Sequence, residues 1–188
     1  VFIQAEEAKE LTPLLIFVDI SMMSILLIGS FYHLEKQDGT IKSMMVMPIN
    51  LKEILIAKVL ASMTLGLESV VVTSLAIFLI HGVVFNYGLL LLFVVIAGIT
   101  HAALGFLLSL LSKDFTSMLG LVMCYLFPFT IPTILFIFGV IDKKYEWILF
   151  ISPSHSGSHL ITSAVNGEYN LLKIVVSCIY LIVLAVIL

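Results

Sequence analysis

Three side chains able to carry charge or move a proton lie inside long apolar runs: Asp19, Glu68 and His101. An ionisable group at the centre of a bilayer costs about 2.5–3.5 kcal/mol on insertion scales, so each is by default a candidate for a pathway or a proton relay. Glu68 stands ten residues after Lys58, and His101 stands eleven before Ser112. At about 1.5 Å per helical residue, both lie roughly 15 Å from the same face of a membrane. That shared depth makes a Glu68–His101 contact between neighbouring helices one reading, since buried charges need partners. The other is a Glu68 that is protonated or faces a wet path alone, beside a His101 that packs as a neutral ring. Asp19 lies a few residues inside the outer end of its run, where snorkelling to the headgroups is the simpler role. Pro128 and Pro132 stand four apart on one face of another run. Each removes a backbone donor, and carbonyls freed at membrane depth must face protein or a water-filled cavity. They mark either a flexible point lining a pathway or a static kink. His155 and His159 have the i, i+4 spacing of a helical metal pair, but Pro153 and Gly157 argue against a regular helix there. With no Cys, Asp or Glu between them, a polar loop is expected and a metal is not. No nucleophile–base–acid arrangement is present, so no catalytic residue is expected.

These residues need spanning helices to position them. The 188 residues are 61% hydrophobic and 11% charged, far from the roughly 45–50% apolar and 25% charged of soluble domains. Continuous apolar runs of about 20 residues specify an all-α, polytopic helical membrane protein and exclude an alternating β-barrel. A polar lead-in over 1–13 precedes spans at 14–34, 56–80, 89–111 and 116–141, and a fifth begins near Leu171. A long loop over 142–170 carries Tyr145 and Trp147, which fit an interfacial aromatic belt, and a short apolar run at Trp147–Ile151 that reads as a re-entrant or surface helix. Cys124 and Cys178, both within apolar runs, read as buried thiols. The third span carries Gly98, Ala102, Ala103 and Gly105, a small-residue seam for close helix packing. No basic patch exists for nucleic acid.

The remaining polar stretch, His33 to Lys58, holds four of the nine lysines. Asp38-Gly39-Thr40 reads as a turn and helix start, and Ile41, Met44, Met45 and Pro48 recur at steps of three and four on one face of a short helix. Pro48 ends that helix, and Asn50 with Glu53 forms a capping-box start for the next. The stretch is an elbow at a membrane surface. Five lysines fall on its side and four on the other, so charge alone does not fix the orientation.

The order Glu35-Lys36-Gln37-Asp38-Gly39-Thr40, a short apolar helix, Met47-Pro48-Ile49, then Lys52-Glu53-Ile54-Leu55 resembles the permease subunits of ABC-2 type transporters. In these an E-x-x-x-G-T turn, an amphipathic coupling helix and a P-[IV]-x-x-x-E-[IL] step occupy the first cytoplasmic loop. The layout of the other spans and loops is similar, and the chain looks most like small bacterial drug-efflux permeases of the fluoroquinolone-export kind. The resemblance implies six spans in one transmembrane domain over 1–188, with the first preceding Val1, in a bacterial plasma membrane. It implies partners as well: an ATP-binding cassette subunit docked on Glu35, Asp38, Gly39, Thr40, Ile41, Met44, Met45 and Pro48, and a second permease copy across the bilayer. The chain has no G-x-x-x-x-G-K-[ST] loop, so ATP and Mg2+ are expected on that subunit and no cofactor on this chain. A proton-coupled carrier or channel using Glu68 and His101 is the alternative, and a non-transporting membrane anchor is a third. The carrier reading lacks the internal repeats common among secondary carriers.

Overall fold

The computed structural model describes residues 5–46, 48, 50–167 and 169–188; the side chains of 5–8, Met45 and Leu51 lie outside it. Every regular element among the described residues is helical. α1 (Ala5–Gln37), α3 (Leu51–His81) and α4 (Tyr87–Leu111) are long, and α2 (Thr40–Met45) is the short elbow helix. α5 (Phe115–Tyr125) passes through a π-turn, Leu126–Thr130, into α6 (Ile131–Ile137). α7 (Glu146–Leu149), α8 (Pro153–Asn166) and α9 (Leu171–Ile187) complete the chain. Four stretches are long and apolar enough to cross a membrane: Lys9–Gln37, Lys52–His81, Tyr87–Leu111 and Phe115–Ile137. Leu171–Ile187 is a shorter apolar helix. The protein is a polytopic helical membrane protein.

α1 is the hub, packed along α3 and α4 and, towards the end away from the elbow, against α8. Its buried residues Ile16, Ile20, Ile25, Ile28 and His33 follow steps of three to five, with Phe17 buried beside Ile16. Because lipid is as apolar as leucine, burial of apolar area does not drive such packing; close fit does. The seam expected on α4 is where that fit occurs. A Cβ added to Gly105 would lie 2.7 Å from Ile25 Cα, and one on Gly98 would meet Met63, Ile20 and Ser24 at 3.5–3.7 Å. Large apolar side chains such as Leu60, Val72, Leu79 and Ile182 point outward, as a bilayer permits.

Several expectations change. The first helix does not wait for Pro13: it starts at Ala5 and runs through that proline, which is buried inside the helix. Membrane helices tolerate such a proline because neighbouring groups take up the freed carbonyl. Cys124 is exposed on the bundle surface, so it is not a buried thiol, whereas Cys178 is half-buried and packs against the core; both are free thiols. Trp147–Ile151 takes the surface form, one of the two expected of it. α7 there is four residues long, with Trp147 and Ile148 exposed. The buried half-helix is α8, in the stretch expected to be a polar loop. Pro153 occupies the first turn, where its missing N–H costs nothing, and Ser152 Oγ caps the helix by accepting from His155 N–H at 3.3 Å. Gly157 is a contact point: a Cβ on it would stand 3.3 Å from Phe17, 3.5 Å from Ala97 and 3.6 Å from His101.

Candidate functional site

The elbow is built from local chemistry. Gly39 has φ 71°, a left-handed conformation that glycine adopts freely, and it reverses the chain between α1 and α2. Thr40 Oγ1 donates to Glu35 O at 3.2 Å, which holds the new helix against the end of the old one. Asn50 N–H donates to the Glu53 carboxylate at 3.4 Å, the half of a capping box that starts α3. Met47 and Ile49, part of the motif, and the Met45 side chain lie outside the described residues.

The base of the elbow is fastened to both neighbours. The Lys58 ammonium pairs with the Glu35 carboxylate, side chains 17% and 22% exposed, and so joins the end of α1 to the start of α3. On the other side His33 Nε2 meets Ser112 Oγ at 2.8 Å, and Lys36 Nζ donates to Lys113 O at 3.1 Å. The turn that receives them is rigid. Asp114 caps α5 by accepting from Ser117 N–H at 2.7 Å, which together with the Ser117 hydroxyl holds its carboxyl below the usual carboxylate range. The depressed value means this cap is present at neutral pH and is lost only as pH falls through that lowered pKa.

The faces of α2 divide as the amphipathic pattern predicts, with Lys42 and Ser43 turned away from Ile41 and Met44. Ile41 and Met44 are half-buried, and Met44 lines a groove of about 710 Å3 with Phe31, Ile54 and Ala61. They anchor the elbow to the bundle. Lys42, Ser43 and Val46 are exposed, Val46 at 85%, and Asp38 and Pro48 are exposed beside them. A partner would therefore meet Lys42 and Val46 first.

Glu68 and His101 are not brought together. Glu68 is exposed on α3, whereas His101 is fully buried on α4. The buried line of α3 runs through Ser62, Gly66, Val70 and Ser74; residue 68 is two positions from both Gly66 and Val70, about 200° round the helix. Counting residues from the elbow says nothing about azimuth. Asp19 sits ten residues inside the Lys9–Gln37 span rather than at its rim, and it accepts a hydrogen bond from Ser69 Oγ of α3. This contact ties its carboxylate to α3.

His101 has other partners. Its Nδ1 meets Ala97 O at 2.8 Å, which leaves Nε2 as the acceptor of the neutral ring. Tyr125 OH lies 3.4 Å from Nε2 and 2.8 Å from Ser154 Oγ, which is 2.9 Å from Thr130 Oγ1. One consistent ordering has each hydroxyl donating towards the histidine. This chain joins α4, the π-turn and α8 across the bundle, not along it. The π-turn contains Pro128, exposed, and is followed by Pro132, half-buried. Phe129 O receives Ser152 Oγ at 3.0 Å and Thr133 Oγ1 at 2.9 Å, so side chains bond the backbone beside the prolines. Tyr125, Thr130, Ser152 and Ser154 were not singled out in the sequence. The available signal was polar residues inside an apolar run, with Tyr125 and Thr130 five apart, the π spacing.

Above this layer α7 is held by the Glu146–Lys173 ion pair at 2.6 Å, and Tyr180 OH donates to Ile151 O. His155 is 3% exposed and neither of its ring nitrogens has a hydrogen-bond partner; His159 Nδ1 has none either. Each such orphan costs about 1–3 kcal/mol. No group of three or more His, Cys, Asp or Glu that could hold a metal occurs among the described residues.

A multi-pass helical bundle with a fastened elbow defines the class of polytopic helical membrane proteins. The profile of the ABC-2 family transporter protein matches residues 6–188, and the chain belongs to that family. It is thus a permease of an ABC transporter, a membrane component and not itself the catalytic one. No curated protein and no solved structure matches it.

Proposed function

We propose that this chain is the permease subunit of an ABC exporter in a bacterial plasma membrane, moved through its elbow by a separate ATP-binding subunit. The observation that carries this reading is the fastening of the elbow. Gly39 turns the chain, Thr40 clamps α2 to the last turn of α1, and Glu35–Lys58 joins that turn to α3. A push on Lys42 and Val46 is delivered to two spans at once. α1 carries the displacement past the Gly105 contact with α4 to Phe17, which packs against α8. The π-turn that contains Pro128 gives the Phe115–Ile137 span a place to bend without leaving unpaired carbonyls in lipid. ATP and Mg2+ are held by the partner, whose affinity for the elbow supplies the differential binding that shifts the bundle between states. A second permease copy completes the path, and efflux of apolar or amphiphilic drugs is the activity the family resemblance favours.

The test is co-purification in mild detergent. Wild-type permease retains its ATP-binding subunit. The double variant Lys42→Glu, Val46→Asp, inserted and helical, retains it at least about tenfold less, as expected when a hot-spot pair costs more than about 1.4 kcal/mol. Equal recovery with both proteins would remove the elbow from the interface.

A further inference from the structure

The far side of the bundle, away from the elbow, holds a cavity of about 600 Å3 between the outer end of α1, the segment after α6, and α8. One wall is apolar, made by Pro13, Leu14, Phe136 and Ile137. The other is α8, which presents His155, Ser158 and His159. His155 lines this space, 3% exposed, with both ring nitrogens unpaired, and His159 Nδ1 is also unpaired. Buried polar groups in folded proteins almost always have partners. Here no hydrogen-bond partner is supplied, while Phe136 and Phe150 pack T-shaped with His155 at centroid distances of 5.2 and 5.0 Å. The remaining charged lining is Glu10, Asp142 and Lys143, two acids to one base. Asn166, the last residue of α8, also lines the space, and helix C-termini carry partial negative charge.

We propose that this cavity is a binding site for an amphiphile bearing a protonated amine. Its N–H groups donate to the acceptor nitrogens of His155 and His159, Glu10 and Asp142 balance its charge, and its apolar body lies along Leu14 and Phe136. An anion would meet two carboxylates and no guanidinium among the lining residues. A hydrated metal ion would find two imidazoles in a phenyl collar and no third ligand among the described residues. The site stands apart from the elbow and needs no ATP, so its failure and that of the exporter reading are distinguishable.

The protein carries its own reporter. Trp147, the single tryptophan, lies 5.5 Å from the Phe150 ring, which contacts both imidazoles at 5.0 and 5.3 Å. The full chain in phosphatidylcholine nanodiscs, without ATP or partner, is titrated at neutral pH with hexylamine and with hexyltrimethylammonium, which has the charge but no N–H. The expected result is a saturable change in Trp147 emission with hexylamine and at least about tenfold weaker binding of the quaternary analogue, the size of one lost charged hydrogen bond. His155→Phe abolishes the discrimination. Glu10→Gln, an exposed change that does not disturb the core, weakens hexylamine severalfold and decides the matter if the histidine variant does not fold. A non-saturable response, equal affinity for both probes in the wild type, undiminished discrimination in His155→Phe, or undiminished hexylamine affinity in Glu10→Gln would overturn the proposal.

Discussion

Replacing Gly105 with alanine lowers the melting temperature of the purified protein by about 6–12 °C, and replacing it with valine prevents the bundle from assembling. The ideal Cβ at this position stands 2.7 Å from Ile25 Cα, 2.8 Å from Ile25 O and 3.1 Å from its carbonyl carbon. All three are backbone atoms of α1, so no side chain can rotate aside and the two helices must separate. Overpacking a close-packed site costs about 1–3 kcal/mol; a backbone clash belongs at the upper end, and about 3 kcal/mol corresponds to the stated shift for a chain of this size. Gly29→Ala is the control. Its Cβ would fall 2.0 Å from Met118 Cε and 2.1 Å from Sδ, the mobile end of a thioether side chain that can change rotamer. Its expected shift is less than half as large. Equal shifts at the two positions would mean that the α1–α4 seam does not limit stability.

Glu35→Gln leaves the ATP-binding subunit bound but disconnects it from the spans. The carboxylate and Lys58 are mostly buried, and removing one member of a buried pair costs about 3–5 kcal/mol because the other charge is left alone. The Thr40–Glu35 contact uses the backbone carbonyl and survives the substitution. The elbow therefore keeps its shape while α3 is released from α1. Spin labels at Leu15 and Ile148, both exposed, report the far end by pulsed dipolar spectroscopy. In the wild-type complex ATP shifts the distance distribution between them. In Glu35→Gln the shifted population falls at least about tenfold, less than the full energy of the pair would produce. The charge swap Glu35→Lys with Lys58→Glu restores part of it. An unchanged ATP response in Glu35→Gln would show that force enters the bundle elsewhere.

Local pattern was legible and mutual arrangement was not. The Gly39 turn, the Asn50–Glu53 start of α3 and the Asp114 turn follow from residues within a few positions of one another. The seam at Gly98 and Gly105 was readable because small residues at helical spacing have one common use in membranes. Shared depth left the face of Glu68 open, and it is exposed on α3. The buried line through Gly66 and Val70, two positions to either side, was in the sequence and shows that face. α8 was missed because Pro153 and Gly157 were weighed as breakers. In place, one is a first-turn proline and the other lets α8 lie against Phe17 and His101. The bonds of His101 to Tyr125, and of Tyr125 to Ser154, join helices 24 and 29 residues apart, and a single sequence offers no pairing rule at that separation. The elbow's apolar face was legible as amphipathic; that Ile41 and Met44 turn towards the bundle depends on the groove beneath them.

The central claim is that an ATP-binding subunit sits on the elbow, and site-specific photocrosslinking tests it most directly. A benzophenone amino acid replaces Val46, the most exposed apolar residue of the elbow, and in a second protein Ile148 on the far side. After irradiation in native membranes the adducts are identified by mass spectrometry. The account predicts that Val46 yields an adduct with a subunit carrying the G-x-x-x-x-G-K-[ST] phosphate loop and that Ile148 yields none. An elbow that captures only lipid, or an ATP-binding subunit captured from Ile148 and not from Val46, would contradict it.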